Sequence, residues 1–441
     1  MPSMPVTAFD SALTAPLLSD SEVAGLLDDA AMARAMVAVE RALSRVEGRL
    51  GVIPADAAAA IDAALDGFEP DLTTLGAGMR SAGVPIVALV TQLRDAVGAK
   101  GRDYVHAGAT SQDIYDTALL LCQAAAIDRL QARLDRVIEQ LSALADGHRR
   151  TVMAGRTRTQ QAIPISFGAK VAGWVAPLKR HRARLARMRK DLLVVQFGGA
   201  AGSLAALGDR GLDVADALAD ELGLERAVAP WHTARDGMLG FGDWLAGVTG
   251  SLGKIGADLL LMGQNEVAEV RTGGAGGSSA MPQKANPVGV EMLVTLARSN
   301  ANHLSGLHHA AIQEHERGGP GWTLEWISLP PMLLAAAGAL RIATEILDGL
   351  TVNAARMREN LALETGLIMA EALTTALAAH VGKTEAQALV KQACLDAPAA
   401  GRSVADLLRD RTDAPVDWDA AADPLAYLGA SDQIIDRVLS L

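Results

Sequence analysis

Residues 241–262 read FGDWLAGVTGSLGKIGADLLLM and carry an apolar residue at every third or fourth position. The stripe consists of Phe241, Leu245, Val248, Leu252, Ile255, Leu259 and Met262. This spacing is typical of a long helix that packs against other helices. The segment also holds Gly247, Gly250, Gly253 and Gly256. Because each glycine destabilises a helix interior by about 1 kcal/mol relative to alanine, we expect close approach of a neighbouring helix there.

Two further segments repeat the pattern, and Pro177 predicts a kink in the second. Their stripes are Leu120, Ile127, Leu130, Leu134, Val137, Leu141 and Leu144, and then Val171, Trp174, Leu178, His181, Leu185, Met188 and Leu192. Half of the residues are hydrophobic but only 3% are aromatic, which favours helix-on-helix packing. We therefore predict an all-α fold with three helical domains: an N-terminal domain at 1–110, a central long-helix bundle at 111–350 and a C-terminal domain at 351–441.

Composition excludes several classes of function. A net charge of −11 argues against nucleic-acid binding, which needs a basic face. The two cysteines, Cys122 and Cys394, are too far apart in sequence to indicate a disulfide framework or a zinc site, which fits a cytoplasmic protein. We expect no signal peptide and no membrane span, because no uninterrupted apolar run approaches about 18 residues. His303, His308, His309 and His315 are interpreted as packed or solvated rather than as metal ligands.

Residues 271–287 read RTGGAGGSSAMPQKANP, and their glycines and prolines predict a loop. A flexible connector would have such a composition. A nucleotide-binding loop fits poorly, because no strand precedes the segment and the glycine spacing is wrong. The loop also contains side chains suited to catalysis: Ser278, Ser279, Lys284 and Asn286. Hydrogen-bond donors and a positive charge stabilise the enediolate that forms when a proton α to a carboxylate is moved.

Residues 106–113 read HAGATSQD and open the first long helix. Thr110, followed three residues later by Asp113, indicates a capping box. The same geometry also serves a function, because hydroxyls and free N–H groups at a helix N-terminus bind a carboxylate. Both interpretations remain open on the residues alone.

The string at 277–287 matches G-S-S-x-M-P-x-K-x-N-P at every fixed position, so the chain resembles the fumarase/aspartase superfamily. The resemblance implies that Ser278 transfers a proton next to a carboxylate, with Lys284 taking part in catalysis and Ser279 and Asn286 in substrate binding. The string at 106–113 is similar to a region of superfamily members whose histidine and hydroxyls contact substrate. It implies a catalytic role for His106 and substrate contacts for Thr110 and Ser111.

Residues 155–164, GRTRTQQAIP, resemble the pattern G-R-T-H-x-Q-x-A-x-P, with Arg158 in place of the histidine. Arginine stays protonated and cannot shuttle a proton, so the acid–base pair of the superfamily's lyases is in doubt. The departure favours the carboxymuconate cycloisomerase branch, which the strings at 196–202, 313–317 and 423–429 also resemble. By this resemblance the substrate-binding residues are Arg156, Arg158, Gln160, His315 and Arg317.

That branch implies intramolecular addition of a carboxylate to an alkene in a small polycarboxylate, with no cofactor and no metal. The alternatives are a fumarate-releasing lyase and a catalytically silent homologue. The resemblance further implies a homotetramer whose active sites combine motifs from three subunits. Glu291, five residues beyond Asn286, is expected to support the site by pairing with Arg158 of another subunit.

Overall fold

The computed structural model describes residues 7–273, 276–277, 281 and 284–441, and most of them are helical, as the all-α prediction requires. In chain order the helices are α1 (Ala15–Leu18), α2 (Ser21–Gly25), α3 (Asp29–Arg49), α4 (Ala55–Leu65), α5 (Leu72–Ala82), α6 (Ile86–Val97), α7 (Ser111–Gly147), α8 (Phe167–Leu192), α9 (Gly211–Leu222), α10 (Asp236–Met262), α11 (Val288–Ala310), α12 (Gly319–Asp348), α13 (Ala354–Leu361), α14 (Ala370–Val381), α15 (Lys383–Ala400), α16 (Val404–Arg409), α17 (Trp418–Ala421) and α18 (Ser431–Leu439). The short strands are β1 (Val152–Thr157), β2 (Gln160–Ser166), β3 (Val270–Arg271), β4 (Gly276–Gly277), β5 (Ala285–Asn286) and β6 (Thr351–Val352).

The three apolar stripes lie on the long helices α7, α8 and α10, as predicted. Every residue of the α10 stripe is buried. On α7 and α8 only Leu144 and Met188 are partly exposed. The prediction that apolar spacing of three and four marks packed helices is therefore confirmed.

The glycines of α10 differ in what they face. A Cβ at Gly247 would lie 2.8 Å from Cε1 of His181, and one at Gly256 would lie 3.0 Å from Cβ of Leu293. A Cβ at Gly250 would meet no other side chain or neighbouring helix within 4 Å among the described residues. Close approach is therefore confirmed at Gly247 and Gly256, whereas at Gly250 it is not found within the single chain and stays a prediction.

The chain forms two compact units. Unit 1 comprises the described parts of Met1–Arg133, His181–Gly250 and Thr295–Arg341, and unit 2 comprises those of Leu134–Arg180, Ser251–Val294 and Ile342–Leu441. The helix α7 begins at Ser111 and α12 ends at Asp348, close to the predicted domain boundaries. The division into three domains itself stays a prediction.

Unit 2 contains a β-hairpin that the sequence did not predict. Strands β1 and β2 pair antiparallel from Val152 with Ser166 to Thr157 with Gln160. The two connecting residues, Arg158 and Thr159, have φ of 49° and 69°, the backbone that a two-residue hairpin turn requires. Val152 also belongs to the apolar core of the C-terminal helices, so one side of the hairpin is anchored.

Two helices, α10 and α12, are long and apolar enough to cross a membrane by length and composition alone. Their most apolar windows are 50% and 67% buried inside the protein. The core helix of a soluble protein meets the same criteria, so this is weak evidence for a membrane span. The cytoplasmic location stays a prediction.

Candidate active site

In unit 1, His106 lies in the loop before α7 and contacts a buried acid on α3. Its Nδ1 is 2.5 Å from Oε1 of Glu40, and the two side chains are 17% and 1% exposed. Burial lowers the pKa of His106, but the charge of Glu40 and its hydrogen bond outweigh burial and leave that pKa raised. The residue has φ 69°, a left-handed conformation that persists only where the surroundings hold it.

Asp113, in the first turn of α7, organises the loops around this histidine. Its Oδ2 accepts hydrogen bonds from the N–H groups of Thr110 and Gly199, both at 2.9 Å. Its Oδ1 accepts from the N–H of Gly198 at 2.9 Å and from Nε2 of His232 at 2.7 Å. Four donors therefore converge on one fully buried carboxylate. The predicted capping box is half formed, because the Thr110 hydroxyl bonds elsewhere.

That hydroxyl accepts a hydrogen bond from Nη1 of Arg317, which also donates to the carbonyl of Ala200 at 3.2 Å. The structure thus brings together two predicted substrate-binding residues that are 207 positions apart in the chain. Ser111 begins α7 and is partly exposed, and His315 is exposed with φ 52°. Whether these residues contact substrate stays a prediction.

Unit 1 also contains a buried ion cluster, formed by Arg235, Asp116 and Glu325. Arg235 donates to Asp116 at 2.6 Å and to Glu325 at 2.6 Å, and the three side chains are at most 5% exposed. The indole N–H of Trp322 donates to Asp116 at 2.9 Å. The ring of Trp322 also packs with those of Tyr115 and Trp326. The cluster holds the N-terminal turns of α7, from which Asp113 projects.

In unit 2, Arg156 forms a paired contact with Glu269. Its two terminal nitrogens donate to Oε1 at 2.7 Å and to Oε2 at 3.0 Å, and the Glu269 side chain is 0% exposed. Asn360 donates to the same carboxylate at 3.0 Å, and the Glu269 carbonyl accepts from the N–H of Asn353 at 2.9 Å. Because Glu269 directly precedes β3 and the signature loop, Arg156 fixes the start of that loop. The pairing of Arg156 with Glu269 is observed, whereas its contact with substrate stays a prediction.

The other candidate residues of unit 2 lie at exposed or partly exposed positions. Arg158 and Gln160 are exposed at the hairpin tip. Lys284 is exposed, and Asn286 in β5 pairs with Gly276 in β4. Ser278 and Ser279 lie outside the described residues.

Glu291 is exposed in the first turn of α11. Its expected partner is Arg158 of a second subunit, and a single chain does not test that pairing. The pairing stays a prediction.

Two family models match the chain. A model described as "Lyase" matches residues 14–299, and one described as "Adenylosuccinate lyase C-terminus" matches residues 366–438. The chain belongs to the fumarase/aspartase superfamily. The motif-based resemblance is therefore confirmed.

Individual superfamily members match over nearly the full length. A Bradyrhizobium diazoefficiens protein named 3-carboxy-cis,cis-muconate cycloisomerase is 42% identical over 97% of this chain and 98% of its own. A Streptomyces davaonensis protein named nitrosuccinate lyase is 40% identical over 98% of this chain and 94% of its own. The crystal structure of a 3-carboxy-cis,cis-muconate lactonizing enzyme from Pseudomonas putida is 38% identical, covers 98% of both chains and has a TM-score of 0.92.

The sequence motifs do not predict four residues that organise these clusters. Three of them, Glu40, His232 and Glu269, lie outside the motifs, and Asp113 is expected from its motif only to cap α7. Glu40 did leave a signal. It lies on α3 between Val39 and Leu43, in a segment that is otherwise mostly apolar, and an acid at such a position is buried only when it has a partner.

Proposed function

We propose that the chain is a cycloisomerase that converts 3-carboxy-cis,cis-muconate to a carboxymuconolactone, a step in the degradation of protocatechuate through β-ketoadipate. Full-length identity of 42% to a protein with that name supports the proposal. So do the signature loop, which the superfamily uses for chemistry next to carboxylates, and the cationic residues of the motifs.

In this reaction one carboxylate oxygen of the substrate attacks an alkene carbon. A C–O bond forms, the π bond breaks, and its electrons move to the carbon next to another carboxylate, which becomes an enediolate. Addition of one proton to that carbon completes the lactone, so the trianionic substrate becomes a dianionic product. No electrons are gained or lost overall, and the enzyme must supply positive charge and a proton.

The observation that carries the proposal is Arg158 at the tip of the β1–β2 hairpin. It occupies the position where the lyase pattern has a histidine. An arginine there stabilises negative charge but cannot accept a proton from a substrate carbon. This favours a reaction in which fixed positive charge is needed at that point and the proton comes from another residue.

We assign proton transfer to Ser278 or His106, and carboxylate binding to Lys284 and Asn286. The cationic residues Arg156, Arg158, Lys284 and Arg317 would attract a polycarboxylate despite the net charge of −11. Thr110, Ser111, Gln160, Ser279 and His315 would complete the binding surface.

We further propose that the enzyme is a homotetramer in which the regions of His106, Arg158 and Ser278 meet from three subunits. Arg158 of one subunit then pairs with Glu291 of another and is held with its remaining N–H groups towards a substrate carboxylate. A fully active monomer, or the three regions of one chain in mutual contact, would disprove this arrangement.

The test is to incubate the purified protein separately with 3-carboxymuconate, adenylosuccinate, argininosuccinate and nitrosuccinate. Loss of the diene absorbance with 3-carboxymuconate, without fumarate release from the other three, is the expected result. Fumarate release from any of them would favour a lyase, for which the 40% identity to the Streptomyces davaonensis protein is the specific support. No turnover of any substrate would favour a silent homologue.

A further inference from the structure

The contact between Glu40 and His106 has a geometry that sets the chemistry of the histidine. At a separation of 2.5 Å, Oε1 of Glu40 and Nδ1 of His106 are in close hydrogen-bond contact. Glu40 lies on α3 and is almost fully buried, so its carboxylate has a fixed position. A carboxylate only accepts hydrogen bonds, so the proton of this contact lies on Nδ1.

The other imidazole nitrogen faces a different environment. Within the described part of the chain, no hydrogen-bond partner is found for Nε2 of His106, and the side chain keeps 17% of its surface exposed. Nε2 can therefore take a hydrogen bond from or to a ligand. Because Nδ1 is held by Glu40, any proton exchanged with a ligand passes through Nε2.

Charged groups on two further segments act on the imidazole. Asp113 on α7 favours its positive form together with Glu40, whereas Arg94 on α6 opposes it. Burial also opposes it, and as the largest single effect. The two carboxylates prevail, and the pKa of His106 is raised.

We propose that Glu40 is a positioning residue that holds the His106 ring through Nδ1, favours its cationic form and presents its Nε2–H to the substrate as a proton donor. Lactonisation of a trianion takes up one proton, so a cationic donor suits this direction of the reaction. The use of the proton rests on the proposed function, whereas the coupling of Glu40 to His106 does not.

Glu47 supplies a matched control on the same helix, seven residues further on. It is 1% exposed, and neither of its carboxyl oxygens has a hydrogen-bond partner among the described residues. Burial, followed by repulsion from Glu40, raises the pKa of Glu47 to about 8. Glu47 is therefore largely neutral at pH 7, so Glu47→Gln removes little charge near the histidine, whereas Glu40→Gln removes a full one.

The experiment measures deuterium exchange at the imidazole C–H of His106 as a function of pH. The folded protein is exchanged first, and the label is then measured by mass spectrometry after tryptic digestion. The tryptic peptide 103–129 contains His106 as its only histidine. Glu40→Gln should lower the exchange midpoint by about one pH unit or more, whereas Glu47→Gln should leave it within about 0.3 unit. An unchanged midpoint in Glu40→Gln would overturn the proposal.

Turnover provides the second readout. In Glu40→Gln, kcat with 3-carboxymuconate should fall about tenfold at pH 8 and recover towards pH 6, because the donor is protonated again at lower pH. A pH-independent loss would indicate a purely structural role and would overturn the assignment as a donor. If Glu40→Gln does not fold, Glu40→Asp, which retains the charge at a greater distance, should give a smaller shift of the same sign. If the native protein does not act on 3-carboxymuconate, the exchange midpoints still test the coupling.

Discussion

The two clusters of candidate residues differ in how their side chains are held. In unit 1, Glu40 and Asp113 are buried acids, and their hydrogen bonds fix His106, Thr110 and two glycine N–H groups. In unit 2, among the candidate residues that the structure describes, Arg156 is held by a buried acid, Glu269. Arg158, Gln160 and Lys284 are exposed.

This difference predicts which substitutions should affect stability and which should affect activity. A group held by a buried partner is oriented before the substrate arrives, but removing the partner also damages the fold. An exposed group on a hairpin tip or loop contributes little to folding and acquires its geometry only when another surface or a ligand covers it. Substitutions at Glu40 or Asp113 should therefore change stability and activity together, and those at Arg158, Gln160 or Lys284 should change activity alone.

The largest effect on activity is expected from Ser278→Ala. Turnover should fall by about two to four orders of magnitude if this hydroxyl transfers the proton, while the unfolding temperature stays unchanged. Steady-state kinetics and thermal unfolding of the same preparation measure both. Near-normal turnover would shift the proton-transfer role to His106.

Asp113→Ala should give the largest loss of stability. It leaves four donors without their acceptor, three of them buried, including Nε2 of His232, and should lower the free energy of unfolding by on the order of 3 kcal/mol. Denaturant unfolding measures this change in the free energy of unfolding. Asp128→Ala is the control on the same helix, because Asp128 is 63% exposed and pairs at the surface with Arg189. Equal losses in the two variants would contradict the contrast between the clusters.

Glu47→Gln should change how stability depends on pH. The pKa of Glu47 is about 8 in the folded protein and near 4.5 when unperturbed, so the folded state retains a proton that the unfolded chain has lost. Its stabilising contribution is present below pH 4.5 and is lost as pH rises through 8, by at most about 1.4 kcal/mol per pH unit.

Glu47→Gln lacks this pH-dependent loss of stability. Between pH 6 and pH 7.5 its free energy of unfolding should fall by roughly 2 kcal/mol less than that of the native protein. Glu69→Gln, at a surface acid that is 67% exposed, should follow the native curve. Parallel curves for Glu47→Gln and the native protein would show that Glu47 ionises normally.

The smallest effect is expected from Arg158→His. The variant restores the histidine of the lyase pattern but should not release fumarate from adenylosuccinate, because the rest of the site is unchanged. It should raise KM for 3-carboxymuconate about tenfold, as one positive contact to a carboxylate is lost. Arg150→His is the control, an exposed arginine that pairs with Asp432. New lyase activity would contradict the proposed role of Arg158.

The long helices were predictable because the helical period alone places residues such as Leu245 and Leu252 on one face. The hairpin was not, because its turn residues Arg158 and Thr159 lack the glycine or asparagine that usually marks positive φ.

The motif residues of the site were found from sequence, but their partners were not. Glu40 is 66 residues from His106, and Glu269 is 113 residues from Arg156. A local pattern carries no information on such pairs, which arise only when the helices pack. A buried acid on an apolar face, as at Glu40 and Glu47, is the one local signal of them.

The aromatic residues beside the ion cluster give the protein an optical reporter. Trp322 donates its indole N–H to Asp116, one turn of α7 beyond Asp113, and its ring contacts that of Trp326. Indole emission depends on the charge and hydration around the ring. Since α12, which carries both tryptophans, begins two residues after Arg317, intrinsic fluorescence offers a label-free signal for events at this end of unit 1, from ligand binding to the first opening of the fold.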